Sequence, residues 1–248
     1  MPAARPRGIH GQVVQLLGSR IISGDLAPGE TLHLPALERE LEISHTVLRE
    51  SLRVLSTKGL VAARQKRGTF ITDPQSWDML DEDVLRWRAD SDDSPRLFDE
   101  LAEVRLIIEP VAARLAAMRA RPADMTALEV ALEQMRCAAD AGQVAANAAA
   151  EADIAFHAAL LRATHNRLIF GLRGVIEQGL RERDLIVHAD PKADDPVPGH
   201  REVADAIARK DPDEAGAAMR SLLDDASRHF SDLSARRAST HRNRSGKK

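Results

Sequence analysis

The chain has no tyrosine, one cysteine, and aromatic residues at only 3% of its 248 positions. The single cysteine, Cys137, cannot form a disulfide within the chain. It falls in an Ala-rich run, where a buried small hydrophobe in a reducing, cytoplasmic setting is expected. No apolar run approaches the length that spans a bilayer. The first residues also lack the apolar centre of a secretory signal, so no membrane partner is expected. Without tyrosine, and with few β-branched stretches after residue 73, strands are disfavoured in most of the chain and helices are expected.

What is present is apolar and charged. Apolar residues make up 44% of the chain, and its length predicts two domains. The formal net charge of −3 conceals a division. Residues 1–72 carry 10 Lys/Arg against 6 Asp/Glu, a net +4, and residues 73–248 carry 25 against 32, a net −7. A basic amino-terminal part suits a polyphosphate partner. The acidic remainder would be repelled by phosphate. The last stretch, 234–248, is expected to be a basic disordered tail, with six cations and no acid from Arg236 onward.

Within the basic part, residues 44–58 read as a two-faced helix. Val47, Leu48, Ser51, Leu52 and Leu55 recur at helical spacing and should pack inward. His45, Thr46, Arg49 and Arg53 fall on the other face, and Ser44 suits the N-cap. Such a helix fits the major groove of DNA, although exposed Arg is by itself an ordinary solvated surface. The flanks add to the pattern. Residues 10–23 form an amphipathic helix ended by Gly24, and Leu26-Ala27-Pro28-Gly29 is a turn. Pro35 opens a second short helix, which completes a helix-turn-helix. After Gly59, strands at 60–64 and 69–72 flank Gln65-Lys66-Arg67-Gly68, a cationic hairpin tip. This is the wing of a winged helix, able to reach the DNA backbone or minor groove through Lys66, Arg67 and Gly68.

The run from Ile21 to Ile71 resembles the N-terminal domain of GntR-type bacterial repressors. The resemblance rests on Ile22-Ser23-Gly24-Asp25-Leu26-Ala27-Pro28-Gly29, Ser44, Thr46, Val47-Leu48-Arg49-Glu50-Ser51-Leu52, Gly59-Leu60-Val61 and Arg67-Gly68-Thr69-Phe70-Ile71. Two positions depart from that family. His45 stands where it usually has Arg, and Pro35 stands at a second DNA-contacting Arg. Arg39 is then expected to take over a phosphate contact.

Residues 74–94 read as a linker containing a short helix, with Trp77, Met79, Leu80, Val84, Leu85 and Trp87 as its apolar positions. Helices are then predicted at 95–119, 122–140, 143–164, 167–188, 198–209 and 211–233, an all-α bundle over 95–233. Pro110 is expected to bend the first of them. Asp153 and His157 lie four residues apart, so carboxylate and imidazole share one helix face. That geometry suits two ligands of one divalent metal, and it equally suits a plain helical ion pair. His200 is available as a third ligand. Arg105, amid an apolar face, needs an acidic partner. That partner is either Glu109 or the carboxylate of a bound molecule.

Residues 97–230 resemble the FCD ligand-binding domain of the FadR-type branch of the same regulators. The matching residues are Glu103-Val104-Arg105, Glu109-Pro110, Ala112, Asp153, Phe156-His157, His165-Asn166, Gly199-His200, Ala206-Ile207 and Met219. This resemblance implies a divalent metal of the Zn, Ni or Mn type held by Asp153, His157 and His200. Beside it would lie an effector carboxylate, with Arg105 and Asn166 as its contacts. The family's fourth ligand position falls on Leu222, which cannot coordinate. The run Trp77-x-x-Leu80-Asp81-x-Asp83-Val84-Leu85-x-Trp87 is similar to repressors of D-galactonate and related sugar-acid operons, which implies a hexonate or similar hydroxy acid as effector. The fold expected is mainly α, a winged helix-turn-helix over 1–73 followed by a helical bundle. The function expected is a homodimeric, ligand-responsive repressor released from palindromic operator DNA. The alternative is a metal-dependent hydrolase or lyase using Asp153, His157 and His200.

Overall fold

The computed structural model describes residues 8–141, 146–188 and 195–245, with the side chains of 141, 146, 182–188 and 229–245 left aside. The chain forms two compact units, Met1–Leu97 and Phe98–Lys248.

The first unit begins with α1 (Ile9–Ile22), α2 (Leu34–Glu40) and α3 (His45–Thr57). Ser44 caps α3 as expected, its hydroxyl accepting from the Val47 amide at 3.4 Å. The start of α2 is capped by His33, whose Nδ1 accepts from the Ala36 amide at 3.2 Å. Two antiparallel strands follow, β1 (Val61–Arg64) and β2 (Gly68–Ile71), with Val61 opposite Ile71 and Arg64 opposite Gly68. Gly68 takes φ +84°, a region that favours glycine and lets the hairpin close within so short a turn. Leu17, Ile21, Leu48, Leu55, Leu60 and Ile71 fill the core of this unit.

The segment expected as a linker belongs to this first unit. A 3-10 turn at Pro74–Ser76 leads into α4 (Glu82–Ala89), capped by Asp81. Val84 and Trp87 are buried in the same core as α1 and α3. The Trp87 ring lies against Gly18 so closely that any side chain there would overlap it. Trp87 Nε1 donates to Gln15 Oε1 at 2.9 Å. Lys58, at the end of α3, pairs with Asp81 at 2.8 Å and with Asp83 at 2.7 Å. Burial opposes the Lys58 charge, yet the two carboxylates hold its ammonium above the usual range, and burial likewise opposes Asp83 while Lys58 and Arg86 hold its carboxyl low. The apolar pattern of 74–94 is therefore explained by packing on α1.

The second unit comprises α5 (Ser94–Arg119), α6 (Pro122–Ala141), α7 (Ala146–Ala163), α8 (Arg167–Gly171), α9 (Arg173–His188), α10 (Val197–Ala208) and α11 (Pro212–Ser245). Helix α7 lies between α6 and α9, and α10 packs on α11 and α6. Phe156, Leu160, Leu128, Leu132, Met135, Val203, Ile207 and Met219 form its main core. Alanines at 113, 116, 117, 131, 152, 159, 163, 204, 206 and 215 join it, so helix backbones approach closely.

Helix α5 runs on through Pro110, which occupies a buried position. Three expectations need correction. The helix expected at 167–188 is two helices meeting at Leu172. Cys137 is exposed, with its Sγ 3.7 Å from Glu133 Oε1, because it lies on the outer face of α6 one position from Ala138 and two from Met135, which face inward. Helix α11 continues through Ser245 instead of giving way to disorder at 234, since no Gly or Pro intervenes between Gly216 and Gly246. Residues 246–248 of the expected tail, residues 189–194 between the helices expected at 167–188 and 198–209, and residues 143–145 of the helix expected to start at 143 lie outside the described residues.

Candidate nucleic-acid interface and candidate metal and effector site

Helix α3 separates its residues as its sequence pattern requires. Leu48, Ser51, Leu52 and Leu55 are buried, and His45, Thr46, Arg49 and Arg53 are exposed. Ser51 is tolerated inside because its hydroxyl donates to Val47 O at 2.9 Å. His45 is not isolated on that face. Its Nδ1 lies 2.6 Å from Glu38 Oε1 on α2, a contact the sequence pattern did not signal. Arg39 is exposed, with its Nε donating to Pro35 O at 3.1 Å.

At the wing, Lys66 takes φ +68° and is exposed, as are Arg67 and Gly68. Arg67 Nη2 donates to Gly29 O at 2.8 Å, and its guanidinium carbon lies 3.9 Å from the Phe70 ring centroid. These contacts hold the Arg67 charge against the base of the hairpin. The expected DNA-contacting residues of this unit are therefore all exposed, and Arg49 and Arg53 on α3 and Lys66 and Arg67 at the hairpin give them positive charge.

In the second unit, side chains from α5, α7 and α10 converge. Asp153, His157 and His200 are buried and offer one carboxylate and two imidazole ligand atoms within 4.8 Å of one another. His200 Nε2 lies 2.7 Å from Asp153 Oδ1, and His157 Nε2 lies 3.7 Å from it. Both rings are oriented from behind. His200 Nδ1 lies 2.7 Å from Pro196 O, and a carbonyl only accepts, so Nδ1 carries a proton. His157 Nδ1 lies 2.5 Å from Glu109 Oε2. The Phe156 ring meets His157 and His200 edge-on, with centroids at 5.8 and 4.8 Å. His200, anchored through Nδ1 by a carbonyl, and His157, whose Nδ1 lies against a carboxylate, both bring Nε2 towards Asp153 Oδ1, as imidazole ligands of one metal require. The donor set thus fits a divalent ion of the Zn, Ni or Mn class.

Arg105 and Glu109 complete this cluster. Arg105 Nε donates to Glu109 Oε1 at 2.6 Å, and Arg105 Nη2 lies 3.2 Å from His157 Nε2. Glu109 is fully buried. Burial opposes its charge, but Arg105 and His157 outweigh that cost and hold its carboxyl at about 2. Sequence reasoning weighed Glu109 only as a partner for Arg105 and missed its contact with His157, because the two belong to different helices.

Leu222, at the family's fourth ligand position, points its Cδ1 towards Gly199, the neighbour of His200, and packs against the main core. Asn166 has a local structural role as well as the expected effector contact. Its Oδ1 accepts from the Leu168 and Ile169 amides at 3.0 and 3.3 Å, which makes it the N-cap of α8. A short polar side chain in a β-region turn before a helix satisfies amides that would otherwise lack partners, and this explains Asn there without an effector. The neighbouring His165 pairs with Asp124 at 2.8 Å.

A two-unit chain with a winged helix and a helical bundle holding a buried Asp-His-His cluster has the architecture of a ligand-responsive bacterial transcription regulator. Residues 9–71 match the model for bacterial regulatory proteins of the gntR family, and residues 100–225 match the FCD domain. The chain belongs to the GntR family of regulators and carries an FCD domain. It is 33% identical over 225 residues to the galactonate operon transcriptional repressor of Escherichia coli K12, covering 90% of this chain and 96% of that protein. It is 27% identical over 245 residues to the Uxu operon transcriptional regulator of the same organism, covering 94% and 89%. A solved Streptococcus agalactiae GntR structure is 27% identical, with a TM-score of 0.50, and the match covers 88% of this chain and 99% of that one. The protein is accordingly a DNA-binding regulator with a ligand-binding domain, which removes the hydrolase or lyase alternative. Among the described residues no helix is long and apolar enough to cross a membrane.

Proposed function

We propose that the protein is a cytoplasmic, homodimeric repressor of an operon for sugar-acid breakdown, released from a palindromic operator by a hydroxy-acid effector. The observation that carries the DNA side is the exposed cationic face of α3, with Arg49 and Arg53 on the side opposite buried Leu48, Leu52 and Leu55. Its place in a winged helix supports contacts of Arg49 and Arg53 with guanine edges or phosphates and of His45 and Thr46 with nearby groups. Lys66, Arg67 and Gly68 serve the backbone or minor groove. One winged helix makes few contacts, and a two-fold dimer reads two half-sites.

The effector side rests on the buried cluster. Asp153, His157 and His200 would hold the metal, which when bound supplies a Lewis-acidic centre for the hydroxyl and carboxylate oxygens of the effector. Arg105 supplies a cation for the same carboxylate. Leu222 leaves the protein a three-ligand set, to be completed by the effector's oxygens or by water. The name of the galactonate operon repressor among the relatives favours D-galactonate as the first effector to try. Binding relieves repression if the effector prefers the state of low operator affinity by a few kcal/mol.

The test is a footprint on the promoter upstream of the chain's own coding region. The wild type should protect a palindrome and lose protection on addition of D-galactonate. Arg49→Ala should give no protection while keeping its helical circular dichroism spectrum. His157→Ala should protect the operator but ignore the acid. A footprint unchanged by Arg49→Ala would refute the DNA-binding assignment.

A further inference from the structure

Arg105 bridges both functions of the buried site. Its Nε donates to Glu109 Oε1 at 2.6 Å, and its Nη2 lies 3.2 Å from His157 Nε2. A guanidinium has donors only, so His157 Nε2 must present its lone pair to Arg105. The ring proton then sits on Nδ1, where Glu109 Oε2 faces it at 2.5 Å. Nδ1 is therefore unavailable, and Nε2 is the only atom of His157 with which a metal can bond. That same lone pair is the acceptor of the Arg105 bond, and it cannot serve both.

We propose that a metal ion and the Nη2 arm of Arg105 compete for His157 Nε2, so that metal loading frees this arm to take the carboxylate of an anionic effector. The inference rests on the metal-dependent effector site proposed above and adds its internal coupling. Glu109 is the fixed point. It is fully buried and holds the guanidinium through Nε, so the planar group can pivot about that bond and withdraw Nη2 from His157 while the ion pair is kept. Metal makes the carboxylate site competent, and by linkage an anion that engages Arg105 tightens the metal by the same factor. Effector response is then graded by metal as well as by acid.

The experiment measures Zn²⁺ affinity by competition with a chromophoric chelator, with no organic acid present. Arg105→Lys keeps the positive charge and reaches Glu109 four residues on, but lacks the second arm. Losing a charge-assisted hydrogen bond that competes with the metal should tighten Zn²⁺ binding by about tenfold. Repulsion between the cation and the metal alone leaves the affinity unchanged, since the charge is retained. Equal or weaker binding by Arg105→Lys therefore overturns the inference while leaving the metal site intact. If neither protein takes up Zn²⁺, Ni²⁺ or Mn²⁺, the metal reading itself fails and the competition fails with it. A second measurement uses the wild type and so does not depend on the variant folding. The nitrogen–nitrogen scalar coupling across the Arg105–His157 hydrogen bond should be present in metal-stripped protein and absent after one equivalent of Zn²⁺. Its persistence in the loaded protein overturns the proposal.

Discussion

Gly18 and Trp87 show how one residue can decide whether two segments join. Gly18 is buried on α1, and the indole of Trp87 fills the space a methyl group there would need. Gly18→Ala should force the ring aside and destabilise the first unit by about 1–3 kcal/mol. Urea unfolding of the two proteins checks this, and coincident midpoints would show that the ring is not packed there. The sequence displays Trp87 as an apolar position and Gly18 as a small one in an apolar helix. It gives no sign that each exists for the other, because the pair is separated by 69 positions and periodicity is blind to such separations. The same limit hid Glu109 from His157 and Glu38 from His45. Where partners are four residues apart on one helix, as in Asp153 and His157 or Arg105 and Glu109, the sequence is enough to place them on one face. Asn166 illustrates the converse. Its residue type fits both a ligand contact and a cap, and the amides of Leu168 and Ile169 show that its Oδ1 serves as a cap.

Among elements, α5 has a side that the second unit does not cover. Ile107, Val111 and Met118 are exposed to 71%, 52% and 66%, and their spacing places them on one helix face. Large apolar residues aligned this way are the natural contact for the second copy in the proposed dimer. Val111→Glu should turn the dimer into a monomer at micromolar concentration in light scattering and weaken operator binding with it. A variant that still scatters as a dimer would place the interface elsewhere. Element type was legible almost throughout, because amphipathic periodicity and cap residues act locally. Element length was less so. Helix α11 outlasts its apolar pattern because Ala, Arg and Ser tolerate a helix without an apolar stripe. Cys137 was misplaced because Ala138 and Ala139, which follow it, are small enough for either face of α6 and leave the apolar stripe poorly marked there.

For the molecule as a whole, the winged helix and the helical bundle follow from composition, charge division and motif. The membership of residues 74–94 does not. The chain divides at Leu97 and Phe98, close to the expected start of the bundle at 95, and the segment expected as a linker packs within the first unit. Val84, Leu85 and Trp87 are each 3% exposed or less, and burying such side chains contributes roughly 1.5–3 kcal/mol apiece. A fragment of residues 1–97 should therefore melt cooperatively in circular dichroism, whereas residues 1–73 should melt at a lower temperature or aggregate. Equal melting of the two fragments would mean that α4 adds nothing to the first unit.

The attachment of α4 also bears on how such regulators diversify. A recombination event that exchanged sensors after residue 73 would strip the reader of its own indole and expose an oily scar. Exchange beyond residue 97 would leave it whole. Grafts made at that later seam should inherit a working operator specificity from one parent and a new chemical vocabulary from the other.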